Sequence, residues 1–209
     1  YEISACLVGS EDVYKRQYMD CPRRTIARTM RGMVRDAGYD LRQVPTHVGA
    51  ATGTACHVGA AHLLSATPGD DAVAAAVDAF DAEAADGVTW DTVTPRRNDA
   101  HAQIVRQVRA YQHGVAPRVA AVTTEEKLEA ALGSDAVLSG TCDVREADGV
   151  RDLKTGSRRS ANGVQYGAYS LLQRAHGRQV ERLTEDYIAR TSLHKPQPAP
   201  EAIVHDVAA

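Results

Sequence analysis

The sequence predicts a mixed α/β domain, and three observations carry that prediction. Apolar residues recur at helical spacing up to Val115, as in Ile104, Val105, Val108 and Tyr111. From Val119 the pattern becomes strand-like, over Val119 to Thr123, Val137 to Arg145 and Val150 to Thr155. It then returns to helix at Ala161 to Ala175 and to strand at Arg182 to Thr191. Helices, strands, a helix and a strand, in that order, suit a mixed sheet flanked by helices.

The stretch Cys6 to Gln17 reads as a translated sequencing adapter, ending Asp12-Val13-Tyr14-Lys15-Arg16-Gln17. Tyr1 to Gln17 is therefore set aside from the expected fold, with the protein proper beginning at Tyr18. Tyr18 to Tyr39 predicts a basic helix carrying Arg23, Arg24, Arg28, Arg31 and Arg35, with Pro22 in its first turn. Thr54 to Ser65 is a run of small residues opened by Gly53, also read as helix. Ala72 to Ala85 predicts an Ala-rich helix capped by Asp70 or Asp71. Asn98 to Val115 predicts another, so that about Ala66 to Val115 forms a helical insertion, with Trp90 packed inside it. The expected domain runs from Tyr18 to His194 and is followed by a Pro-rich tail, Lys195 to Ala209, read as truncated.

Composition narrows the function. A net charge of −3 gives no general basic coat, so contact with nucleic acid requires a local patch. No apolar run reaches the roughly 18 residues of a membrane span, and no signal peptide is visible, which predicts a cytoplasmic protein without a membrane partner. Cys6, Cys21, Cys56 and Cys142 lack CxxC spacing, which argues against a zinc or disulfide framework.

The chemistry concentrates in Leu138 to Gly156. Asp148-Gly149 lies between two strand-like runs and signals a hairpin. With these two as the loop, Ala147 pairs with Val150, Arg145 with Asp152, and Asp143 with Lys154. Strand alternation then brings Asp143, Asp152 and Lys154 to one face and Leu138, Cys142, Val144 and Leu153 to the other. Two carboxylates and an ammonium suit a hard cation that also binds a phosphate. From the hairpin alone, a cross-strand ion pair on a solvated face is the better explanation of the pattern.

Three further features tip the balance: Cys21-Pro22-Arg23-Arg24, Gly53-Thr54-Ala55-Cys56-His57, and Gln165 with Tyr169 at i,i+4 on one helix face. With Gly140 to Asp143 and Asp152 to Thr155 they give, in order, C-P-R, G-x-x-x-H, G-x-x-D, D-x-K-T and Q-x-x-x-Y. This order resembles the RecB-like branch of the PD-(D/E)XK nucleases, including phage-type recombination exonucleases, over nearly all of Tyr18 to Thr191. None of the motifs is specific by itself; their shared order is.

The resemblance implies a restriction-endonuclease-like fold and Mg²⁺- or Mn²⁺-dependent hydrolysis of DNA, as an exonuclease in recombination or repair. It implies Asp143 and Asp152 as metal carboxylates, Leu153 as a backbone carbonyl ligand, and Lys154 as the catalytic lysine. His57 would ligate the metal or stand beside it, and Gln165 and Tyr169 would support the site and the DNA strand. A Glu ahead of G-x-x-D is often present in the family; Glu125 and Glu126 both qualify. Arg158 and Arg159, just past Lys154, are placed to touch phosphates. DNA is the implied partner, with a helicase or recombinase as the class of protein partner. Cys21 matches the first ligand of the iron–sulfur relatives, but no C-terminal cysteine trio follows, so no cluster is expected. Two rivals are a catalytically inactive DNA-binding module of the same fold, and an unrelated α/β protein whose carboxylates form only surface pairs.

Overall fold

The computed structural model describes residues 3–6, 31–39, 45–132, 136–159 and 163–206. The chain divides into two compact units, one made of Tyr1–Val44, Lys127–Thr141 and Ala161–Arg178, the other of Pro45–Glu126, Cys142–Ser160 and Gln179–Ala209. The strands are β1 (Ile3–Cys6), β2 (Thr46–His47), β3 (Val88–Thr89), β4 (Thr123–Leu132), β5 (Ala136–Arg145), β6 (Gly149–Gly156), β7 (Arg182–Ala189) and β8 (Glu201–Asp206). The helices are α1 (Arg31–Asp36), α2 (Val48–Leu64), α3 (Gly69–Glu83), α4 (Arg97–Gly114) and α5 (Gly163–Ala175). The main sheet is mixed, in the order β1-β5-β6-β7-β8 with β4 on β5, while β2 and β3 form a small separate pair.

The first unit contains β1, α1, α5 and the parts of β4 and β5 that fall within its residues. Of the basic helix expected over Tyr18 to Tyr39, Arg31–Asp36 is helical; the part before Arg31, with Cys21 to Arg24, lies outside the described residues. The helix ends at Gly38, whose φ of 84° is readily reached without a Cβ. There Tyr39 N–H donates to Val34 C=O and Gly38 N–H to Arg35 C=O, a Schellman closure. β1 pairs in parallel with β5 over Ile3↔Ala136 to Cys6↔Ser139, although it falls in the segment the sequence reading sets aside.

The second unit is built on β6, β7 and β8. β6 and β7 run parallel from Gly149↔Arg182 to Gly156↔Ala189. β8 pairs antiparallel with β7, so the tail expected as a linker supplies a strand after its prolines. The short apolar run Ile203-Val204 fits such an edge position, where only one side must be covered.

α2 begins earlier than expected, because His47 caps it by accepting a hydrogen bond from Gly49 N–H at Nδ1, 3.0 Å away. α3 is entered from Pro68 with no side-chain cap, correcting the expected role of Asp70 or Asp71. Both acids instead occupy the first turn, where they complement the helix dipole. The three helices meet through Val48, Ala51, Ala55, Ala76, Phe80, Ala84, Ala100, Ile104 and Val108. Close approach is possible because the residues are small: a Cβ on Gly59 would lie 2.7 Å from Val108 Cγ2. Trp90 lies beside Phe80, with ring centroids 6.5 Å apart, as packing was expected to place it. The segment is more than an added lobe, since Tyr111 and Val115 pack with Leu153, Ile188 and Ala60 in the core of the second unit. Among the described residues, no helix is long and apolar enough to cross a membrane.

Candidate active site

The hairpin register differs from the expected one by two residues. Arg145 pairs with Val150 and Val144 with Arg151, so the turn spans Glu146 to Gly149 and is closed by Glu146 N–H donating to Gly149 C=O. A slip of two preserves every face, because side chains alternate with period two. It sets Asp143, rather than Arg145, opposite Asp152. Leu138, Cys142, Val144 and Leu153 are buried, as the alternation predicts.

The ladder also ends where the chemistry begins. Alternation of antiparallel bonds would next send Leu153 N–H to Cys142 C=O. Instead Leu153 N–H donates to Asp143 Oδ2, at 2.7 Å. Asp143 thus takes over a backbone rung at the fork between β5 and β6. Lys154 ion-pairs with Asp152 at 2.9 Å.

From α2, His57 Nδ1 lies 3.4 Å from Asp143 Oδ1 and 3.8 Å from Glu125 Oε1. α2 comes close to β6 here: a Cβ on Gly53 would sit 3.1 Å from Thr155 Oγ1. The structure also separates the two glutamates. Glu126 accepts from Arg145 Nε at 3.2 Å and from Thr123 Oγ1 at 3.3 Å. Glu125 has φ of 50°, a left-handed conformation that costs a non-glycine residue roughly 1 kcal/mol or more. That twist interrupts strand alternation and leaves Glu125 with His57. His57, Glu125 and Asp143 form a group whose ligand atoms all lie within 4.8 Å of one another.

The electrostatics fit a cation-binding cluster. Burial works against charge on His57, but Asp143 and Glu125 outweigh it and raise its pKa to about 10. Burial, then the neighbouring Asp143, pushes Asp152 up to about 7 against the pull of Lys154 and His57. Acids crowded out of water with too little positive charge are a donor set that a cation would relieve. One imidazole nitrogen with carboxylate oxygens is a donor set for a divalent cation.

The remaining expected residues fall as follows. Leu153 is on β6 with its N–H held by Asp143. Arg158 and Arg159 are exposed, and Arg159 Nε lies 3.1 Å from Glu185 Oε1. Gln165 and Tyr169 belong to the first unit, where Gln165 Nε2 donates to Tyr169 Oη at 2.7 Å. Glu185 and His205 were not singled out in the sequence. The available signal was the acidic pair Glu185-Asp186 inside the strand-like run Leu183 to Ile188, since acids buried in a strand need partners.

The sequence model of the PD-(D/E)XK nuclease superfamily matches residues 15–208. No curated protein sequence matches the chain. A solved structure from Eubacterium rectale, described as a "Putative exonuclease", is similar at 12% identity and a TM-score of 0.49. That likeness covers 85% of this chain and 64% of the other, so the chain spans less than two thirds of that structure's length.

Proposed function

The chain belongs to the PD-(D/E)XK nuclease superfamily, and on that premise we propose that it is a divalent-metal-dependent DNA nuclease, acting as an exonuclease in recombination or repair. The observation that carries the proposal is the convergence of His57, Glu125 and Asp143 within 4.8 Å, beside the Asp152–Lys154 pair at 2.9 Å. His57, Glu125, Asp143 and Asp152, with the Leu153 carbonyl, would hold Mg²⁺ or Mn²⁺. Such an ion supplies a water of lowered pKa and Lewis-acid neutralisation of the scissile phosphate. Lys154, oriented by Asp152, stabilises the charge that develops on the phosphate oxygens. Asp143 has a second task, holding Leu153 N–H so that the fork keeps its shape. A helicase or recombinase is the class of protein partner. The test is cleavage of end-labelled linear DNA with Mg²⁺ or Mn²⁺. Cutting that EDTA abolishes is expected, and no cutting with any divalent ion would refute the proposal.

Divalent binding should depend on pH with a definite sign. At neutral pH the cluster holds protons that the ion must displace, because His57 titrates at about 10 and Asp152 at about 7. Affinity therefore rises with pH. Mn²⁺ affinity is expected to gain about a hundredfold per pH unit below about 7, where both protons are lost, and about tenfold per unit above it. Calorimetric titration at pH 6, 7 and 8 checks this, and equal affinities across that range would contradict the ligand set.

A further inference from the structure

In the parallel register of β6 and β7, Asp152 stands beside Glu185. The two residues therefore share one face, on strands whose backbones lie about 4.8 Å apart. Both side chains are buried, Asp152 at 2% and Glu185 at 0% exposure. Each carries its own cation: Lys154 lies 2.9 Å from Asp152, and Arg159 Nε 3.1 Å from Glu185. From β8, His205 brings Nε2 within 3.6 Å of the other Glu185 oxygen.

The cations face outward where the carboxylates do not, with Lys154 28% and Arg159 42% exposed. A buried carboxylate holding a half-exposed guanidinium fixes the direction in which that cation points. Glu185 engages the Nε side of a planar group with five donors, which orients the Nη edge outward for a second anion. Arg158, the exposed neighbour, has no carboxylate partner among the described residues. We propose that Arg159 binds the DNA phosphate next to the scissile one and that Glu185 is its positioning residue. The inference rests on the nuclease reading and adds a second carboxylate–cation pair, parallel to Asp152–Lys154, that sets the strand's register in the site.

The test is binding of fluorescein-labelled DNA, read by anisotropy in EDTA so that it is separate from cleavage. Arg159→Gln should weaken binding roughly tenfold and lower the slope of log affinity against log salt by about one. Glu185→Gln separates positioning from simple charge. Removing a negative group near DNA would by itself tighten binding, whereas loss of positioning weakens it, with no further loss in the Arg159→Gln background. Arg159→Lys keeps a cation on the buried carboxylate, and so carries the test if Glu185→Gln fails to fold. It should retain the parent salt slope while binding several-fold more weakly, because the planar fork is gone. An unchanged slope in Arg159→Gln, tighter or parent-like binding by Glu185→Gln, or parent affinity in Arg159→Lys would each overturn the inference. If the parent cuts DNA and these variants match it, only this inference falls. If the parent neither binds nor cuts DNA, the nuclease reading falls and takes the inference with it.

Discussion

Lys154→Ala is expected to lower DNA cleavage by roughly a hundredfold or more while leaving Mn²⁺ binding near the parent value, whereas Asp143→Ala and Asp152→Ala remove both. The difference follows from what each group can do. A protonated lysine cannot ligate a cation, so its loss leaves the donors His57, Glu125 and Asp143 in place. Removing a nearby positive charge favours the ion, but it also favours a proton on Asp152, whose pKa is already pushed up to about 7. The comparison therefore belongs at pH 8, where that proton competes least. Asp143 is different in kind, because it is one of the three converging groups and also the acceptor for Leu153 N–H. Calorimetric Mn²⁺ titration beside a cleavage assay reads both effects. Cleavage by Lys154→Ala at the parent rate would reduce the lysine to a surface residue and remove the centre of the nuclease proposal.

The largest stability effect should come from the opposite face of the sheet. Arg151 donates from Nε and Nη2 to both oxygens of Asp186, at 2.9 and 2.7 Å, and both residues are buried. Glu146 lies 3.7 Å from Arg151 and is also held by Arg182 at 3.2 Å. Asp186→Ala strips the guanidinium of its two-pronged partner and should cost about 3–5 kcal/mol, since arginine cannot discharge. Arg151→Met should cost less, because burial already raises the pKa of Asp186 and the acid can take up a proton. In the double variant Arg151→Met, Asp186→Leu, most of the loss should be recovered, because a buried pair exchanged for apolar side chains of similar size is often neutral. At about 2–4 °C per kcal/mol for a chain of this size, Asp186→Ala should melt roughly 10 °C lower. Thermal unfolding followed by circular dichroism measures all three, and a double variant as unstable as Asp186→Ala would show that the pair is a net stabiliser.

These two experiments probe parts of the chain that differ in how far the sequence revealed them. The period-two pattern was enough to bring Asp143, Asp152 and Lys154 to one part of the sheet, and it survived an error of two residues in the hairpin register because such a slip leaves faces unchanged. Helices α2, α3, α4 and α5 were legible from spacing and small residues, with ends displaced where His47 and Pro68 set the entries. β4 was not legible. Thr123 to Leu132 is rich in Glu, Lys, Ala and Leu, which favour helix, yet the free edge of β5 takes this segment as a strand. β8 was hidden for a similar reason, since six residues after a proline run show no period of their own until β7 pairs with them.

By itself, then, the sequence determined the mixed α/β class, the order of the motifs and the residue types at the site, because these depend on local periodicity and on the chemistry of single side chains. Tertiary structure alone decided that Glu125 rather than Glu126 meets His57, that Asp143 replaces a backbone acceptor at the fork, and that Glu185 stands beside Asp152. Each of these depends on the register between strands far apart in the chain, or on one residue's φ, and neither quantity is encoded in the spacing of neighbouring residues.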